Sequence, residues 1–359
     1  MRSLKTTVTG DVSMVGITWP ITSATVRSYL RTTVGGKTSA WQVQEKETAA
    51  EASANLGTSP TLVTGHATVE VVTVSTAPVP TTLRVFGTQV TAGDAAQAAG
   101  AAQANAAANA SATPASALTG ASTSAIASTS AVSGSSTSAV KGSSTSAVSA
   151  NARKRRVYKP AIRSRASWRA AALPQGSKYG YGVVTGVMLH HTATTNSYTR
   201  AQVPAILRSI QSYHIKGRGW KDIAYNVIVD KYGVAWEGRG GGLTNAVVGG
   251  HGMGVTNARV FGLSFLGNYD VKAPSSAMLD TAERVVAWKF AMHNVAVYGK
   301  TWGSSGTLNA ISGHRNEKST SCPGRYVYAK MSTIRAKVST YKLRYYRGLS
   351  AATVRSASR

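Results

Sequence analysis

The chain has few cysteines, few acidic residues and no long apolar run. It has 359 residues with one cysteine, Cys322, which excludes an internal disulfide framework. No apolar stretch approaches the roughly 18 residues that a membrane-spanning helix requires, so we expect no transmembrane segment. The N-terminal stretch MRSLKTTVTGDVSMVGITWP has no continuous apolar run followed by a small-residue cleavage site, and no signal peptide is visible in it.

The shortage of acidic residues leaves the chain strongly basic. It carries 40 Lys plus Arg against 13 Asp plus Glu, a formal net charge of +27. Residues 153–359 hold 32 of these basic and 7 of these acidic residues. An excess of this kind favours anionic polymers as partners. No nucleic-acid-binding motif accompanies it, so we expect no specific nucleic-acid partner.

Composition divides the chain into four segments. Residues 1–90 alternate apolar and polar residues, many of them β-branched, which predicts a small β-rich module. Residues 91–157 form a low-complexity linker, rich in Ala, Ser and Thr, that ends in a basic run. We expect it to be disordered because it cannot bury enough apolar surface. Residues 158–341 form the main domain, and residues 342–359 form a basic tail.

The main domain alternates predicted strands and helices. YGVVTGVMLHHTA and FGLSFLGNY are apolar strands, AYNVIVDKYGVAWEGR is a hairpin, and AQVPAILRSIQSYHIK has helical periodicity. SSAMLDTAERVVAWKFAMHNV begins with a serine cap and has one apolar stripe, which predicts a second helix. These elements predict an α/β fold with a central mixed β-sheet flanked by helices.

Histidine and cysteine cluster in a pattern that favours a metal site. His314 and Cys322 lie in SGHRNEKSTSCPG, and His190 and His191 end an apolar strand. Zinc accepts imidazole and thiolate ligands, and catalytic sites use three protein ligands. Neighbours on a strand face opposite ways, so only one of the paired histidines should face the metal, and the residues alone leave open which one. A lone cysteine is otherwise usually a small buried apolar residue.

Four blocks together resemble the peptidoglycan recognition protein and type 2 amidase family. They are MLHHTAT, GWKDIAYNVIVDKYGVAWEGR, VVGGHGMGVTNARVFGLSFLGNY and SGHRNEKSTSCPG, in the family's order and spacing. The resemblance implies a zinc-dependent N-acetylmuramoyl-L-alanine amidase that cuts between the glycan and the stem peptide of peptidoglycan. The alternative is a non-catalytic peptidoglycan-binding relative. Such relatives typically lack the cysteine ligand, so Cys322 favours the enzyme.

The resemblance also implies roles for individual residues. The Zn²⁺ ligands would be His190, His314 and Cys322, and the catalytic residues would be Tyr225 and Thr320. Substrate-binding candidates are His251, Arg239, Asn268 and His191, although His251 also fits a plain loop histidine. The family resemblance further implies an extracellular or cell-wall location, where the basic surface would bind anionic cell-wall polymers, and we expect a monomer.

Overall fold

The structure, a computed structural model, describes residues 1–47, 55–111 and 159–344. The remainder of the predicted linker and most of the predicted basic tail lie outside these ranges. Among the described residues, no helix combines the length and the apolar character needed to cross a bilayer.

The N-terminal module consists of two antiparallel sheets that pack face to face. Its strands are β1 (Arg2–Val8), β2 (Val12–Pro20), β3 (Val26–Val34), β4 (Lys37–Thr38), β5 (Gln42–Gln44), β6 (Lys46–Glu47), β7 (Asn55–Thr58), β8 (Thr61–Thr64), β9 (Ala67–Ser75) and β10 (Thr82–Thr88). One sheet has the order β1-β9-β3-β4, with β5 also paired to β3; the other has the order β10-β2-β7-β6, with β8 also paired to β2. Inward-facing residues of both sheets, among them Ile17, Trp19 and Val69, form the core. The predicted β-rich module is confirmed.

Helix α1 (Ala92–Ser111) occupies the first part of the predicted linker, which differs from the expected disorder. A capping box at its start explains the helix. The Thr91 backbone N–H donates to Asp94 Oδ2 at 2.9 Å, and the Asp94 N–H donates to Thr91 Oγ1 at 3.2 Å. The alanines that follow have the highest helix propensity, so composition that cannot build a core can still build a helix.

The main domain is built around a six-stranded mixed sheet. Its strands are β11 (Ile162–Arg163), β12 (Gly186–His191), β13 (Val227–Val229), β14 (Ala235–Glu237), β15 (Val260–Phe265) and β18 (Ile311–Gly313), in the order β11-β14-β13-β15-β12-β18. The pair β13–β14 is antiparallel and every other neighbouring pair is parallel. A separate hairpin contains β16 (Lys300–Gly303) and β17 (Gly306–Asn309). The predicted α/β fold with a central mixed sheet is confirmed.

Helices cover both faces of this sheet. They are α2 (Val203–Ser212), α3 (Thr256–Arg259), α4 (Ser276–Met292), α5 (Arg325–Tyr328) and α6 (Met331–Arg344). Helix α4 begins at the predicted cap, where Ser275 Oγ accepts from the Met278 N–H at 3.1 Å. Helices α4 and α6 pack with one face of the sheet in the larger core cluster, and α2 belongs to the cluster on the other face.

The N-terminal module packs against α2 and the π-helical turn Tyr213–Gly217 that extends it. A single cluster of buried residues joins Met14 and Leu62 of the module to Ile210 and Tyr213 of the domain. The Tyr213 hydroxyl donates to the Thr58 carbonyl at 2.5 Å. Gly16 permits this approach, because a Cβ there would lie 2.5 Å from the Tyr213 ring. The module and the domain therefore share part of one core.

Candidate metal centre

Parallel pairing of β12 and β18 brings the candidate ligands together. Leu189 pairs with Gly313, so His190 and His314 leave the same edge of the sheet as neighbours. The Cys322 Sγ lies 3.6 Å from His190 Nδ1. One nitrogen from each of His190 and His314 and the Cys322 sulfur lie within 4.8 Å of one another. Two imidazoles and a thiol so placed are a donor set that zinc accepts.

His251 fixes the orientation of His190. His251 Nε2 lies 3.0 Å from the Val260 carbonyl oxygen, and His251 Nδ1 lies 3.0 Å from His190 Nε2. Only a nitrogen bearing hydrogen can donate to the carbonyl, so His251 Nδ1 is left to accept from His190 Nε2–H. This network leaves the lone pair of His190 Nδ1 pointing towards Cys322. Gly262 makes room for the His251 ring, because a Cβ there would lie 2.2 Å from it.

The electrostatics of the centre suit a cation. Burial lowers the pKa of His190 and His314 well below the usual value, so both imidazoles stay neutral and able to coordinate. Burial also lowers the pKa of His251, to about 4. Burial raises the pKa of the Cys322 thiol. A bound divalent cation reverses that preference because it stabilises the thiolate.

His191 faces away from the three donors. Its Nδ1 accepts from the Tyr269 N–H at 3.1 Å, and its Nε2 lies 3.9 Å from Asp270 Oδ2. Its backbone N–H donates to Cys322 Sγ at 3.4 Å. The alternation of side chains along β12 thus places His190 among the donors, and His191 supports the thiol through its backbone.

Tyr225 and Thr320 both line the cavity at the three donors. The Tyr225 ring centroid lies 5.4 Å from that of His190, and burial raises the pKa of Tyr225 well above its usual value. Thr320 Oγ1 accepts from the Cys322 N–H at 3.2 Å and donates to Glu45 Oε2 at 3.3 Å. The hydroxyl of Thr320 is thus already bonded on two sides.

The remaining substrate-binding candidates lie away from the three donors. Arg239 is 5% exposed, and its Nη1 donates to the Ile223 carbonyl at 3.2 Å. Burial lowers the pKa of Arg239 to about 10. Asn268 lies on a wide groove next to the cavity. Its backbone N–H donates to Asn196 Oδ1, and its carbonyl accepts from Asn196 Nδ2. Neither Arg239 nor Asn268 lines the cavity at the three donors.

Residues of the N-terminal module complete the cavity wall, which sequence reasoning missed. Glu45, Lys46, Glu47 and Ser59 line the cavity together with the three donors. Glu47 Oε2 accepts from Arg218 Nη1 at 2.6 Å, and the Glu47 carbonyl accepts from Arg218 Nη2 at 3.0 Å. The sequence offers only a weak indication of this contact. Residues 1–90 contain five acidic residues, and two of them, Glu45 and Glu47, are two positions apart.

Comparison with known proteins relates the main domain to one family. Residues 180–325 match the N-acetylmuramoyl-L-alanine amidase family. Peptidoglycan-recognition protein SC1a of Drosophila melanogaster is 34% identical over 168 residues, which span 46% of this chain and 80% of that protein. Peptidoglycan recognition protein 1 of Bos indicus is 29% identical over 168 residues, which span 47% of this chain and 80% of that protein.

One solved structure shows a comparable degree of sequence similarity to the main domain. Peptidoglycan recognition protein-LE in complex with tracheal cytotoxin is 31% identical, with a TM-score of 0.41, over 48% of this chain and 93% of that chain. The segment that matches the amidase family contains His190, His314 and Cys322. Glu45 and Glu47 lie outside it.

Proposed function

The chain belongs to the peptidoglycan recognition protein and type 2 amidase family, and we propose that it is a zinc-dependent N-acetylmuramoyl-L-alanine amidase. The observation that carries the proposal is the convergence of His190, His314 and Cys322 within 4.8 Å. A module that only binds peptidoglycan has no need of a buried thiol held against two neutral imidazoles. Peptidoglycan is thus the proposed substrate, which also favours an extracellular or cell-wall location.

The bond to be cut is the amide between the lactyl group of N-acetylmuramic acid and L-alanine. When bound, zinc would supply a Lewis acid that polarises the amide carbonyl and makes water nucleophilic near neutral pH. Tyr225 would donate its hydroxyl hydrogen to the oxygen on which negative charge develops. Because burial raises the pKa of Tyr225, the hydroxyl keeps that hydrogen throughout the working pH range.

Other residues position this machinery. We assign His251 to holding the ring of His190, since its contacts with His190 and Val260 occupy both of its nitrogens. Thr320 supports the loop of Cys322 by accepting the Cys322 N–H. These residues would supply the metal ligands, a hydrogen-bond donor for the oxyanion and the partners that hold the ligands in place.

The test replaces the thiol. The variant Cys322→Ser should lose bound zinc, measured by elemental mass spectrometry, and should release no stem peptide from digested cell wall. His66→Ala provides the control, because His66 is an exposed histidine of the N-terminal module. Zinc content and peptide release both at the level of the unaltered protein in Cys322→Ser would refute the site.

A further inference from the structure

A short strip of the N-terminal module closes the proposed metal site. We define the strap as Gln42–Glu47, which contains β5 and β6. The cavity on its inner side, lined by the three donors and by Glu45, Lys46 and Glu47, measures only about 30 Å³. That volume accommodates one or two water molecules, whereas pockets for small organic ligands usually measure about 300–1,000 Å³. A muramyl peptide does not fit in a cavity of this size, and Glu45, Lys46 and Glu47 of the strap form one of its walls.

A much larger space lies on the other side of the strap. A groove of about 960 Å³ runs between the module and the domain, and Gln42–Glu45 form part of its wall. Its other walls include hydroxyl and amide side chains from both parts of the chain, namely Thr32, Thr61, Thr194, Thr195, Asn196 and Asn268. Apart from Glu45, Asp270 and Lys272, the polar side chains that line the groove are uncharged, which suits a neutral, polyhydroxylated ligand. The strap thus separates a ligand-sized groove from the metal donors.

The strap contacts the domain through the carboxylates of Glu45 and Glu47 and through the Glu47 carbonyl, which accepts from Arg218. Glu45 Oε1 accepts from the Ser321 N–H at 3.0 Å, and Glu45 Oε2 accepts from Thr320. Glu47 pairs with Arg218. Strap residues are also bonded to the module, for example through Thr61 Oγ1 to Gln44 Oε1 at 2.7 Å. Loss of the Glu45 contacts would let Gln42–Glu45 tilt away from the cavity while Glu47 stays paired with Arg218 and the shared core stays closed.

We propose that the strap is a gate between the metal site and a groove that binds the glycan of the substrate. This inference rests on the proposed function. In the closed state, Glu45 of the strap bonds Thr320 and the substrate is excluded from the cavity. In the tilted state, the groove and the cavity form one continuous space. A glycan in the groove would favour the tilted state, because Gln42–Glu45 are part of the groove wall and would gain contacts with the glycan as the strap leaves the cavity.

The test uses Cys322 as the reporter, since it is the chain's one cysteine. In the full chain stripped of metal, Cys322 is alkylated by small iodoacetamide and by bulky fluorescein maleimide. The ratio of the bulky to the small rate measures access, because the fraction of thiolate affects both rates alike. The variant Glu45→Gln weakens the strap's hold on Thr320 and Ser321. Asp280→Asn, a carboxylate change on α4, is the matched control.

Glu45→Gln should raise the ratio about tenfold, as expected when one charge-assisted hydrogen bond is weakened, and Asp280→Asn should leave it unchanged. Saturating N-acetylglucosamine tetrasaccharide should raise the ratio in the unaltered chain. An unchanged ratio in Glu45→Gln would refute the gate, and an unchanged ratio with the tetrasaccharide would refute the groove's assignment to glycan.

Turnover of muropeptide by the zinc-loaded protein separates the remaining outcomes. Faster turnover in Glu45→Gln supports the gate. Slower turnover with a raised ratio would make Glu45 a participant in the chemistry and overturn the gate. A raised ratio with no turnover in any variant, including the unaltered chain, would support the gate and refute the amidase function.

Discussion

Removing the Glu47 carboxylate should strongly destabilise the folded protein, because Glu47 lies where the N-terminal module packs against the main domain. Arg218 is 0% exposed, and its guanidinium lies 2.6 Å from Glu47 Oε2. Burial would raise the pKa of Glu47, but its contacts with His214 and Arg218 lower it overall, so the carboxylate is charged at neutral pH. Breaking one partner of a buried ion pair costs about 3–5 kcal/mol, because the other charge stays buried. We therefore expect Glu47→Gln to lower the free energy of unfolding by that amount.

Urea unfolding followed by tryptophan fluorescence measures this change, and two further variants test its cause. The double variant Glu47→Leu, Arg218→Met should recover most of the stability, because no buried charge remains. Asp280→Asn removes the charge paired with Arg284 at i,i+4 but keeps an oxygen that can accept from the Tyr341 hydroxyl, and it should cost at most about 1 kcal/mol. The reasoning fails if Glu47→Gln loses no more stability than Asp280→Asn, or if the double variant is less stable than the single one.

Three further predictions concern the proposed metal centre and the pH dependence of stability. Tyr225→Phe should lower turnover about 10²–10³-fold while zinc content stays unchanged, since one oxyanion donor is lost; loss of zinc would instead give Tyr225 a structural role. His251→Ala should weaken zinc binding about 10–100-fold in a chelator titration, since His190 loses its orienting partner. Burial, with a smaller contribution from Asp280, raises the pKa of Glu283 to about 7. The folded chain then binds more protons than the unfolded chain between pH 4.5 and pH 7, so Glu283 makes stability fall as pH rises through this window. Glu283→Gln should therefore be more stable than the unaltered chain at pH 8, by about 1–3 kcal/mol, and should match it near pH 4 in urea titrations; an equal difference at both pH values would contradict the assignment.

Local patterns in the sequence were enough to predict most of the secondary structure and the fold class. The apolar run that ends at His190 and His191 predicts β12, and the serine before an apolar stripe predicts the start of α4 at Ser275. These features depend on neighbours in the chain, so they are readable one segment at a time. The helix α1 was missed because its capping pair, Thr91 and Asp94, stands at the edge of a segment that composition alone assigns to a linker.

The site was predictable only where the chain itself brings residues close. His314 and Cys322 are eight positions apart, whereas the contact between Glu45 and Ser321 spans 276 positions. Periodicity and spacing carry no information about which distant loop folds against which, so the strap was invisible in the sequence. The contact of His251 with His190 was invisible in the sequence for the same reason, since only the fold places the His251 ring between Val260 and His190.

The shared core has a practical consequence for anyone who produces this protein. A fragment trimmed to the amidase match, residues 180–325, would present Ile210 and Tyr213 to water where Met14 and Leu62 now cover them. It would also leave Arg218 without the shelter of the module. Such an exposed apolar face favours aggregation of the fragment. The segment that matches the amidase family is therefore a poor choice for expression on its own. We expect a fragment that includes the first 90 residues to be more soluble.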